Sequence, residues 1–151
     1  MLQKKRVYDI NKNIDITSIN EVITKDNISN IITDELDYVV DAVDNMEAKI
    51  AIITECDKKK IKCISCMGVG NKLNPLDIKV DDIYNTCVCP LAKRVRKQLK
   101  SIGIKNLKVI YSIESPKINC ENNAIGSVSF VPSVAGLVIA SEIVKDFMFK
   151  N

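Results

Sequence analysis

The feature that most constrains this chain is a pair of β-branched, apolar runs, LDYVVDAV (36–43) and IKCISC (61–66), with one helix-forming stretch between them. That stretch, NMEAKIAIITECDKKK (45–60), puts Met46, Ile50, Ile53 and Cys56 or Asp57 on one face. It closes on three lysines, whose charge suits the negative end of a helix dipole. Strand, helix and strand within roughly 30 residues make a βαβ unit, and such a crossover joins parallel strands. The sequence therefore predicts an α/β fold: a Rossmann-like, mostly parallel sheet with flanking helices.

The remaining segments are read around that unit. LQKKRVYDIN predicts a short helix, IDITSI a short strand, and NISNIIT a helix capped by Thr24 or Asp26. PLAKRVRKQLKSIG predicts a helix with Pro90 in its first turn, Leu91, Val95, Leu99 and Ile102 on its apolar stripe, and Gly103 as its stop. LKVIYSI reads as another strand. The stretch Ala124–Ser141 carries no charge and approaches the length of a membrane span, but Pro132 divides it into GSVSFV, which alternates like a strand, and a helical part too short to cross a bilayer. A buried strand followed by a helix is expected there rather than a tail anchor, and no membrane partner. At 151 residues, 46% hydrophobic and 27% charged, the chain is expected to fold as one domain, 1–151, with a packed core. The basic N-terminus lacks the apolar core of a secretory signal, so six cysteines are expected as reduced thiols in the cytoplasm.

In doubly wound sheets ligands bind at the carboxyl ends of the strands. DAVDN, with Asp41, Asp44 and Asn45, and the loop Met67-Gly68-Val69-Gly70-Asn71-Lys72 follow the two strands of the βαβ unit and should open on that edge. A carboxylate there suits Mg²⁺ held against a phosphate, because hard cations take oxygen ligands. Equally, Asp44 is well placed to do no more than cap the helix beginning at Met46. Gly68 and Gly70 would let backbone N–H groups approach a ligand. No G-x-G-x-x-G or G-x-x-x-x-G-K-[ST] occurs in the chain, so nothing in it cradles a triphosphate unaided.

The cysteines invite a metal reading, with Cys63 and Cys66 in a C-x-x-C and Cys87 and Cys89 close by. Residues three apart on a strand face opposite ways, so small buried side chains are the expected role. The chain has no histidine, which excludes Ser-His-Asp and Cys-His catalysis within it. Net charge is only +3, yet no acidic residue lies between Asp82 and Glu114, while Arg94, Arg96, Lys97 and Lys100 share one helix. Uniform sign without acidic i,i+4 partners fits a polyanion, and an ordinary solvated face fits as well.

DYVVDAVDNMEAK, CMGVGNKLNPLDIKVDDIYNTCVCPLAKRVRKQLK, VIYSIESP and GSVSFVPSVAGLVIASEIV together resemble the ThiF/MoeB/HesA superfamily of ubiquitin-activating-like, adenylate-forming enzymes. The likeness runs the length of the chain and is most specific over 68–96. Lys49, five residues after Asp44, stands where sulfur-carrier-activating members usually have arginine, and their paired C-x-x-C zinc motif is absent. Both features favour the branch that dehydrates threonylcarbamoyladenosine in tRNA. The resemblance implies ATP and Mg²⁺ as cofactors, tRNA as partner, and adenylation of a carboxylate followed by ring closure with loss of AMP. It implies that Asp44 faces the α-phosphate and Mg²⁺, with Lys49 beside it in the catalytic set. Asn45, Gly68, Gly70, Asn71 and Lys72 would line the nucleotide and reacting centre. Arg94, Arg96, Lys97 and Lys100 would lie near tRNA.

The family's glycine-rich loop, its ribose-binding acid and its Asn/Arg motif have no counterpart in this sequence. The KKRVYDIN helix resembles the family helix that follows all three, so those parts are expected in a segment preceding Met1. A sheet without them is expected to have an open edge, weak ATP binding and a tendency to self-associate, as a homodimer or otherwise. Two other readings stay open: activation of a sulfur-carrier protein, and a non-catalytic association module.

Overall fold

The computed structural model describes residues 2–115 and 125–149; Cys120 and Ala124 lie outside them. Four strands, β1 (Tyr38–Asp41), β2 (Lys62–Cys66), β3 (Ile78–Asp82) and β4 (Lys108–Ser112), form one sheet in the order β1-β2-β4-β3. β1 with β2 and β2 with β4 are parallel, whereas β3 runs antiparallel along β4. The expected mostly parallel α/β sheet is therefore present, with an antiparallel edge strand that the sequence reading left unassigned. Ile78 and Val80 give β3 its inward face, and both pack on the core cluster around Ile64 and Ile110.

Helices cover both faces. On one side lie α3 (Met46–Lys59) and α4 (Pro90–Ile102), with Ile53, Val95 and Leu99 buried against Val109 and Tyr111 of β4. On the other lies α5 (Phe130–Met148), with Ala135 and Ile139 against Ile64 and Ile110. Alternate residues of β4 thus serve opposite layers, as a strand buried on both faces requires. α4 has the predicted signals: Pro90 opens it, and Gly103, at φ +83°, ends it in the left-handed conformation that glycine adopts at little cost. Of its predicted stripe, Ile102 points outward and is exposed, while Ala92 takes an inner place.

Four local expectations need correction. IDITSI forms no strand; the segment is almost wholly exposed and pairs with no strand among the described residues, and β propensity without a ladder partner does not hold a strand. The helix near NISNIIT is one turn, α2 (Ile28–Ile31), preceded by Asn27 rather than capped by Thr24 or Asp26. The cap of α3 is Asn45, whose side chain accepts from the Ala48 N–H, so Asp44 is not the cap. GSVSFV is not a strand: residues 126–128 are irregular and α5 begins at Phe130. Pro132 sits within its first turn, where a helix leaves N–H groups unpaired and the missing donor costs nothing. The predicted N-terminal helix is present as α1 (Leu2–Ile10). No helix among the described residues is long and apolar enough to cross a membrane.

Candidate functional site

The carboxyl ends of β1 and β2 bring the predicted residues to one edge. In-register pairing sets Asp41, the last residue of β1, beside Ser65 of β2. Lys49, one turn into α3, comes down on that pair with its ammonium 2.6 Å from Asp41 Oδ2. It also donates to Ser65 Oγ at 3.3 Å and to the Cys66 carbonyl at 3.0 Å, while Ser65 Oγ donates to Asp41 Oδ2. All three side chains are fully buried. An ammonium has three protons and Lys49 commits all of them inward, so its role is to lock the β1–α3 junction rather than to touch a ligand. A buried ion pair with its hydrogen bonds made is stable, whereas one with a partner removed leaves an uncompensated charge. The sequence reading placed Asp41 at this edge but not its pairing with Lys49, and it missed Ser65. The signal was a carboxylate at the end of an apolar strand and a lysine on the buried face of the helix after it.

Asp44 stands three residues beyond Asp41, exposed, at the entrance to α3. Since Asn45 does the capping, the Asp44 carboxylate remains turned to solvent beside the positive end of the helix dipole.

The loop after β2 is arranged differently. Asn71 adopts φ +55°, and its N–H donates to the Gly126 carbonyl at 2.8 Å while its Oδ1 accepts from the Gly126 N–H at 2.7 Å. A left-handed asparagine is less strained than most residues there, and its amide reproduces a two-bond ladder step. Gly70 faces the same segment: a Cβ on it would stand 2.3 Å from Ile125 Cγ2, so the exposed Ile125 side chain would have to shift. Lys72 is buried and donates to the Glu114 carbonyl, and desolvation holds its pKa below the ordinary lysine value. The Glu114 carboxylate accepts from the N–H groups of Leu73 and Asn74, both at 2.9 Å. Gly68 lies against the start of α4, where a Cβ would be 3.6 Å from Cys89 Sγ. The Asn71 amide, the Lys72 ammonium and the Leu73 and Asn74 N–H groups are thus bonded to residues of the chain itself.

Arg96 does not join its neighbours on the surface. Its guanidinium turns in to the carbonyls of Ile83 and Thr86, at 3.2 and 2.8 Å, and to Thr86 Oγ1 at 2.6 Å. Arg94, Lys97 and Lys100 remain exposed. Cys63 and Cys66 face opposite layers, Cys63 toward α3 and Cys66 toward α5, so the C-x-x-C does not converge.

The whole described fold falls within one family match: residues 2–148 fit the ThiF family. The chain belongs to the ThiF family. It is 35% identical to the tRNA threonylcarbamoyladenosine dehydratase of Bacillus subtilis (strain 168), over 97% of this chain and 65% of that protein. It is 33% identical to the enzyme of the same name from Escherichia coli (strain K12), over 64% of this chain and 36% of that protein. Crystal structures of the E. coli tRNA N6-threonylcarbamoyladenosine dehydratase superpose on 99% of this chain and 63% of theirs at 29% identity, with TM-scores of 0.91 for the complex with ATP and 0.90 for that with AMP. This ThiF-family chain therefore spans less than two thirds of the length of these relatives.

Proposed function

We propose that this chain forms the acid-bearing wall of an ATP-dependent site that activates the threonylcarbamoyl carboxylate on modified tRNA. The observation that carries the proposal is Asp44: an exposed carboxylate at the carboxyl edge of two parallel strands, left free by the Asn45 cap and fixed in place by the Lys49 lock behind it. Its chemistry fits Mg²⁺ and, through the ion, an α-phosphate. The Gly68–Lys72 loop fits a different part: Asn71 and Lys72 are bonded to the chain itself, so it lines the reacting centre as a wall rather than cradling phosphates. Bound ATP would supply the adenylyl group that makes a carboxylate a good leaving group, ahead of ring closure and release of AMP.

Of the catalytic pair inferred from resemblance, Asp44 keeps the ligand-facing role and Lys49 becomes a positioning residue. Arg94, Lys97 and Lys100 offer an exposed cationic helix for tRNA phosphates, while Arg96 holds the 83–86 turn beneath it. The names of the relatives favour tRNA over a sulfur-carrier protein as substrate, and such an enzyme belongs in the cytosol. The test joins this chain to a family nucleotide-binding segment with its glycine-rich loop and measures AMP release with modified tRNA. Asp44→Ala should reduce the rate by roughly 10²-fold, the scale of losing one electrostatic contact to a reacting phosphate or oxyanion. An undiminished rate would remove Asp44 from the site.

A second reading, self-association, rests on exposed apolar surface. Val40 is 45% exposed on the edge strand β1, and Leu137, Val144 and Met148 lie exposed along α5. An uncovered edge and an apolar helix face both favour pairing with a second chain. Sedimentation of the isolated chain as a monomer across the micromolar range would dismiss it.

A further inference from the structure

The outer face of α5 differs from that of every solvated helix in the fold. Inward, Ala135 and Ile139 are buried on the sheet, and Asp146 turns to Lys108. Opposite them lie Phe130, Ser133, Leu137, Ala140, Val144 and Phe147, all exposed, Leu137 by 70%. At 3.6 residues per turn these six fall within about 100° of arc, and none carries a charge. The outer face of α4 shows what solvent alone selects: Lys93, Arg94, Lys97 and Lys100 stand there, away from the buried Val95 and Leu99. Gly136, at the flank of the α5 face, has nothing among the described residues within 4 Å of where a Cβ would stand. Glycine weakens a helix interior, and the packing of this chain gives no reason for one here; close approach of a second backbone does.

We propose, resting on the self-association reading above, that two copies of this chain pair through α5, helix against antiparallel helix, about a two-fold axis. With the axis level with the step from Val138 to Ile139, Leu137 stands opposite Ala140 of the second copy and Val144 opposite its Ser133. In the same register Phe130 lies beside Phe147 at each end, and Gly136 faces Ser141 near the middle. Large side chains meet small ones on both sides of the axis, so ridge fits groove, and every contact occurs twice, as an isologous interface requires. Covering this face would remove on the order of 600 Å² per copy, about 1,200 Å² for the pair, which reaches the lower end of stable interfaces. The face offers no charge to a polyanion, and its self-matching sizes single out a second copy as the occupant.

Sedimentation equilibrium of the full chain across the micromolar range tests this, with circular dichroism to check that each variant keeps its helix content. The wild-type chain should show a monomer–dimer equilibrium. Leu137→Glu should weaken the dimer by about 10²-fold, the scale of losing a central interface anchor. Leu137→Ala leaves a hole and Ala140→Leu a clash, so each alone should weaken it too. Together they exchange large for small across the axis, and the double variant should return to within about tenfold of wild type. Val40→Glu, on the β1 edge, should leave the dimer intact. A chain that sediments as a monomer throughout overturns the proposal and the self-association reading together. A dimer that survives Leu137→Glu overturns the proposal alone and moves self-association to another surface. A double variant no tighter than either single overturns the antiparallel register. None of these results bears on Asp44.

Discussion

The two strands that end at the candidate site finish in opposite ways. Beyond β1, Asp44 is exposed and its neighbour Asn45 takes the capping duty, so the Asp44 carboxylate is not engaged as a cap. Beyond β2, Asn71 clamps Gly126, Lys72 reaches the Glu114 carbonyl and the Glu114 carboxylate gathers the Leu73 and Asn74 N–H groups. The first end is open and the second is bonded to itself. A glycine pair beside an acid looks alike in the sequence whether the glycines admit a phosphate or another stretch of chain, and here Gly70 admits residues 125 and 126 while Gly68 lies against the start of α4.

The comparison is broken most severely at its base. Lys49→Met should destabilise the chain by about 3–5 kcal/mol, because Asp41 stays buried without its cation. The double variant Asp41→Asn, Lys49→Met should recover part of that loss in urea denaturation. The self-bonded end comes next. Asn71→Ala removes the bond to the Gly126 N–H and places alanine at a positive φ, an expected loss of about 2 kcal/mol by chemical denaturation.

A smaller effect lies away from both ends, where Asp146 accepts from Lys108 at 2.7 Å and from the Tyr38 hydroxyl at 2.8 Å. The Lys108 hydrogen bond, against the cost of burial and with help from Tyr38, holds the Asp146 pKa below the ordinary carboxylate value. A depressed acid contributes stability above its unfolded value of about 3.9, and that contribution disappears as pH falls through the lower folded value. Tm should therefore drop over that acid range, and Asp146→Asn should flatten that part of the profile. Smallest for stability is Asp44→Ala, expected within about 0.5 kcal/mol of wild type because the residue is exposed and caps nothing. That small cost, beside a large loss of AMP release in the completed enzyme, separates the open end from the structural one.

Much of this architecture was legible in the sequence. The βαβ unit, α4 with its Pro90 and Gly103 boundaries, and β4 follow from periodicity and turn chemistry. β3 was not, because five residues ending in two aspartates look like a loop until β4 supplies a partner. GSVSFV alternates like a strand, but no partner strand determines it and Pro132 serves equally well as a helix opener. At the site, residue identities carried the positions of Asp44 and of the loop, but not their states. Whether Lys72, Asn71 and Arg96 are free or committed depends on carbonyls at positions 114, 126, 83 and 86, and contacts of up to 55 residues' separation leave no local pattern.

The most direct test of the proposed acid wall is a calorimetric titration of the isolated chain with ATP and Mg²⁺. With an acid wall and no phosphate cradle, the titration should give no tight saturable binding, and Asp44→Ala should leave the trace unchanged. Tight one-to-one binding of ATP by a monodisperse monomer would contradict the account.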